Sequence, residues 1–112
     1  MLTVLSPAKT LDYQTPSTVE TATVPRFMDQ SALLVDDART LAPDDIRALM
    51  GVSENIAHLN HERFMNWESK ATPENAKQAL LAFKGDVYTG LQADSMAAPD
   101  FEFAQARLRI LS

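Results

Sequence analysis

The sequence predicts a mixed α/β fold that is rich in helix, with short strands near residues 1–6 and 108–111. Three observations carry that expectation. Met1-Leu2-Thr3-Val4-Leu5 is a short apolar run closed by Ser6-Pro7, and a proline cannot donate to a strand ladder. Between about residues 25 and 84, apolar residues recur at helical spacing beside helix-start residues. Leu108-Arg109-Ile110-Leu111 then reads as a second strand just before the last residue, Ser112. A strand with no turn after it leads us to expect residues 1–112 to be the amino-terminal part of one larger domain. Strands lacking native partners would then pair across chains.

Each element has a local reason. The first strand is expected to be buried, because every second residue of it and most between are apolar. Asp12 to Pro25 is rich in proline and small polar residues, which suggests an extended surface crossover packed in part through Tyr13 and Val19. A helix is expected from Pro25 or Arg26 to about Thr40, with Phe27, Leu34, Ala38 and Leu41 inward, Met28 and Val35 beside them, and Asp36, Asp37 and Arg39 facing solvent. Ala42-Pro43-Asp44-Asp45 opens the next helix, since proline and acids suit a first turn. Leu49 and Met50 close its apolar face; Ile56, Ala57 and Leu59 open that of the following helix, which runs from Glu54 to about Trp67. Thr72-Pro73-Glu74 starts a further helix carrying Ala76, Ala79, Leu80 and Phe83 inward and ending near Lys84-Gly85. Gln92 to Pro99 reads as a small-residue linker, and Asp100 to Arg107 as a short helix.

Composition narrows the function classes. The chain has 112 residues, 46% hydrophobic and 22% charged, enough for one globular core. No apolar run approaches the roughly 18 residues of a membrane span, and no signal pattern opens the chain. No membrane partner is expected, and a cytoplasmic address is the default. The absence of cysteine excludes disulfides, thiol catalysis and zinc–thiolate sites within this segment. A net charge of −5 opposes bulk attraction to nucleic acid, so any DNA contact must use local geometry or basic residues supplied elsewhere.

Two stretches carry candidate chemistry. In Ile46 to Asn60, a helix, the turn Gly51-Val52-Ser53 and a second helix form a helix-hairpin-helix-like element spanning about residues 43–67. Gly51 can take a positive φ, and Ser53 can cap the second helix. The amides from Gly51 to Asn55 would then be free to hold a phosphate without reading bases. The known motif usually has glycine, an apolar residue and glycine at the turn; here serine replaces the second glycine. A pair of helices joined by a capped turn is the simpler alternative.

The other stretch is Phe83 to Leu91, considered together with Ser6 to Leu11. Lys9 follows directly on a strand end, where ligands of open α/β sheets sit. Gly85 and Gly90 bracket Asp86, Tyr88 and Thr89. Lys84 and Asp86 are placed to form an ion pair. If Lys9, Lys84, Asp86 and Tyr88 converge, Lys9 would anchor an anion, Asp86 would act as acid or base, and Tyr88 would orient a substrate. Those three, Lys9, Asp86 and Tyr88, are the catalytic candidates, although a binding protein is favoured over an enzyme. His58 and His61 are the only imidazoles. No third ligand accompanies them, and Glu62 lies about 100° around the helix from His61, so no metal site or cofactor is assigned.

Four stretches together resemble the bacterial YaaA family of peroxide-stress proteins: Leu5-Ser6-Pro7-Ala8-Lys9-Thr10-Leu11-Asp12, Asn60-His61-Glu62-Arg63-Phe64, Thr72-Pro73-Glu74-Asn75-Ala76, and Ala82-Phe83-Lys84-Gly85-Asp86-Val87-Tyr88-Thr89-Gly90-Leu91. Leu108 to Ser112 looks like the opening of a Leu-Ser-Gly-Leu-Tyr-Gly segment of that family. The resemblance implies a cytosolic protein that limits oxidative damage by lowering available intracellular iron. It also implies a single α/β domain with a basic cleft, a helix-hairpin-helix element and affinity for double-stranded DNA. On that basis phosphate contact is expected at Gly51, Val52 and Ser53, supported by Arg47, Lys9 and Lys84. Asn55 stands where the resemblance leads one to expect lysine. Contact with DNA would be non-sequence-specific, with residues beyond these 112 supplying most of the positive charge.

Overall fold

The computed structural model describes residues 1–112 and is mixed α/β, with six helices and four short strands. Its contacts gather into two units, Val24–Thr72 and the combination of Met1–Thr23 with Pro73–Ser112.

In the Val24–Thr72 unit, three helices follow one another. They are α1 (Met28–Arg39), α2 (Pro43–Met50) and α3 (Glu54–Asn66). The local chemistry explains their ends. Pro43 occupies the first turn of α2, and Asp45 Oδ2 accepts from the Ala42 N–H at 2.9 Å, which fastens the start. Gly51 ends α2 in the left-handed conformation, φ 63° and ψ 39°. Ser53 Oγ accepts from the Ile56 N–H at 3.4 Å and so caps α3.

Burial corrects the expected apolar faces. The seam between α2 and α3 is Ile46 and Ala57, each 1% exposed. Leu49 is 76% exposed, and Met50, Ile56 and Leu59 are exposed with it. Two short helices joined by a tight turn share one narrow line of contact, and small Ala57 lets the backbones approach along it. In α1 the expected inward stripe fails at Phe27, which is 73% exposed, and at Leu34, also exposed; Met28, Val35 and Ala38 are half-buried. Arg39 does not face solvent as its charge suggested. Its Nε donates to the Phe64 carbonyl at 2.9 Å and its Nη2 to the Trp67 carbonyl at 2.6 Å, while Nη1 pairs with Asp36 at 3.2 Å. Carbonyls near a helix end lack intrahelical partners, and a guanidinium can satisfy two at once.

The other unit is built on two strand pairs. β1 (Thr3–Leu5) runs parallel to β4 (Leu108–Ile110), with Val4 opposite Arg109, and Leu111 N–H extends the ladder to the Leu5 carbonyl at 3.0 Å. The first strand is present but not buried: Leu2 and Val4 are exposed, because a two-stranded pair covers neither face of its own ladder. β2 (Thr10–Leu11) runs antiparallel to β3 (Phe83–Lys84), pairing Thr10 with Lys84 and Leu11 with Phe83. Around them lie α4 (Ala79–Ala82), α5 (Asp86–Leu91), a 3₁₀ turn at Ala93–Ser95 and α6 (Ala98–Arg107).

The core of this unit is Leu81, Ala93 and Phe101, with Val19, Leu80, Leu91 and Met96 packed on it. The segment expected to be a small-residue linker therefore supplies a core residue, Ala93. The helix expected from Thr72 to Lys84 is also corrected: only Ala79–Ala82 is helical before the chain enters β3. Side-chain bonding to a distant segment competes with helix formation here. Lys77 Nζ donates to the carbonyls of Asp12 at 3.1 Å and Thr15 at 2.8 Å. Gln78 Nε2 donates to those of Val19 and Thr21 at 3.0 Å each, and its Oε1 accepts from Ser17 Oγ at 2.8 Å. The Asp12–Thr23 crossover is thus stitched in place. Val19 packs as expected, whereas Tyr13 is exposed.

Candidate functional site

The β2–β3 pairing decides the first site. It sets the Pro7–Thr10 turn beside the Lys84–Tyr88 turn, and together they line a cleft of about 360 Å³. Lys9, Lys84, Asp86 and Tyr88 all contribute to its walls, so residues 75 apart in sequence meet in one place. Gly85 permits the approach: a Cβ there would stand 3.3 Å from the Ala8 Cβ, tighter than ordinary contact.

Inside the cleft the Tyr88 hydroxyl is already engaged, and the expected Lys84–Asp86 pair does not form. Tyr88 is buried, and its hydroxyl donates to the Ser6 carbonyl at 2.6 Å. Burial raises its phenol above the usual tyrosine value of 10.0. Its ring stacks on Phe83 with centroids 5.5 Å apart. The Tyr88 proton is therefore committed to shaping the cleft. Lys84 does not pair with Asp86; its Nζ reaches Asp94 Oδ2 at 3.3 Å. Sequence spacing gave no sign of Asp94, because left-handed Gln92, φ 53°, turns the chain between α5 and the 3₁₀ turn. Lys9 and Asp86 are exposed and form no ion pair within 4.0 Å.

The second group of candidates lies in the other unit, at the α2–α3 turn. Gly51, Ser53, Glu54 and Asn55 are exposed, so no side chain seals the bend. Its amides are only partly available, which corrects the expectation for Gly51 and Val52. Both donate to the Arg47 carbonyl, at 3.0 and 3.4 Å. This satisfies the end of α2 by its own turn. The free donors move one step on, to Glu54 and Asn55, which open α3 and have no carbonyl a turn behind them within the helix. Arg47 shares a shallow surface depression with Asp44, Ala48, Gly51 and Val52.

A family model described as peroxide stress protein YaaA matches residues 1–112. The chain belongs to the YaaA family. Both candidate regions of this YaaA chain fall within the match, and no helix in it is long and apolar enough to cross a membrane. The two histidines are engaged separately. His58 Nε2 lies 3.9 Å from Glu54, while His61 Nδ1 lies 3.2 Å from the Leu41 carbonyl. A carbonyl only accepts, so Nδ1 of His61 carries the proton of that hydrogen bond.

Proposed function

We propose that this YaaA-family chain serves peroxide stress at DNA, binding the duplex through phosphate contacts without reading sequence and limiting damage linked to intracellular iron. Family membership supports the peroxide-stress role. The DNA contact rests on one observation: with Ser53 capping Ile56, the Glu54 and Asn55 amides at the start of α3 are left for an outside acceptor. Arg47, exposed beside that turn, supplies a local cation; Lys9 and Lys84 supply two more in the other unit. Phosphate binding of this kind fixes position and carries no sequence information. Ferrous iron turns peroxide into hydroxyl radical, so lowering available iron and occupying DNA protect the same target.

Fluorescence anisotropy on a labelled duplex across a salt series tests the reading. Affinity should fall linearly on a log–log plot as salt rises, and Arg47→Ala should weaken binding equally for unrelated sequences. Affinity that stays constant with salt overturns it.

A further inference from the structure

We propose that the cleft between the Pro7–Thr10 and Lys84–Tyr88 turns is a binding site for a small phosphate monoester. Its volume, about 360 Å³, lies at the small end of ligand sites and suits a compact metabolite. The arrangement of donors names the ligand class. Lys9 is exposed at the cleft with no acid within 4.0 Å, so its ammonium is available to an anion. Lys84 spends one donor on Asp94, and an ammonium carries three. A phosphate monoester, with three terminal acceptor oxygens, uses the Lys9 ammonium and the remaining Lys84 donors more fully than a two-oxygen carboxylate would. Asp86, equally unpaired, is left to accept hydrogen bonds from hydroxyl groups on the esterified part.

The walls are built to hold this arrangement. Tyr88 locks α5 to the Ser6 carbonyl, and the Thr10–Lys84 pairing fixes the spacing of the two lysine-bearing segments. Neither feature involves the α2–α3 turn, so failure of the phosphate contact at that turn leaves this site standing; Lys9 and Lys84 are shared with the DNA reading, and the duplex titration below separates the two.

Ribose 5-phosphate is a suitable probe, titrated into the ¹⁵N-labelled full chain with the amides of Lys9, Gly85 and Asp86 followed by NMR. Saturable shifts at these amides are expected, with weaker binding of inorganic phosphate and no response to ribose. Lys9→Ala should weaken ribose 5-phosphate at least about tenfold. Asp86→Asn should weaken it relative to inorganic phosphate, which loses a neighbouring negative charge and no hydrogen bond. Lys9 and Asp86 are exposed, and the unshifted remainder of each variant's spectrum reports that it is folded. The proposal is overturned if the cleft amides do not respond, if ribose alone shifts them equally, or if Lys9→Ala retains full affinity. It is overturned too if a short duplex shifts them and ribose 5-phosphate does not, which would make the cleft part of a polynucleotide surface.

Discussion

The Tyr88 hydroxyl donates to the Ser6 carbonyl at 2.6 Å, although 82 positions separate the two residues in the chain. This single bond ties α5 to the end of β1 and fixes one wall of the lysine-lined cleft. Tyr88→Phe should keep the Phe83 stacking and lose about 1 kcal/mol of stability, measured by urea unfolding. The pH dependence follows from burial, which raises the phenol in the folded state. Its contribution is fully present below the unfolded value near 10.0 and is lost as pH rises through the higher folded value. An alkaline unfolding profile that is identical in wild type and Tyr88→Phe would contradict this.

Ile46 and Leu49 make a sharp pair, since both are apolar residues of one helix with opposite burial. Ile46→Ala should cost about 2–5 kcal/mol, because it opens a cavity against Ala57. Leu49→Ala should fall within about 0.5 kcal/mol of wild type. Urea midpoints of the two variants check both.

Arg39 ties α1 to the end of α3 through two carbonyls. Arg39→Met should lose about 1.5–3 kcal/mol, whereas Asp36→Asn, which removes only an exposed ion pair, should lose less than about 1 kcal/mol. Hydrogen exchange should accelerate at the carboxyl end of α3 in the first variant alone.

Asp12 gives the protein an acid-sensitive point. The Thr15 side chain, the amides of Thr15 and Gln14, and the Lys77 ammonium lower its carboxyl from 3.8 to about 2. A depressed carboxyl stabilises the fold above its unfolded value and stops doing so as pH falls through its folded value. The Asp12 contribution should therefore be lost between about pH 4 and pH 2, and Asp12→Asn should flatten acid unfolding in that window.

Glu54 sets DNA affinity against stability. As the first residue of α3 it complements the helix dipole, yet its negative charge belongs to the same first turn whose amides are proposed to hold phosphate. Glu54→Gln should strengthen duplex binding severalfold in anisotropy while lowering stability by roughly 0.3–1 kcal/mol. Weaker binding by this variant would remove the turn from the interface.

Local punctuation was legible from the order of residues alone. Pro43, Gly51 and Ser53 bound their helices where expected, α6 spans the expected Asp100–Arg107, and both terminal strands form. Each of these depends on groups a few residues apart: a fixed φ, a missing N–H, a hydroxyl within reach of an amide. Tertiary structure decided the rest. It chose Ile46 and Ala57 over Leu49, drew Lys77 and Gln78 out of a helix to bind the crossover, sent Arg39 to α3, and gave Lys84 to Asp94 instead of Asp86. The reason is common to all four. Apolar area and charge say how strongly a side chain seeks a partner, but which partner comes within 4 Å depends on segments that are distant in the chain or lie beyond a change of direction.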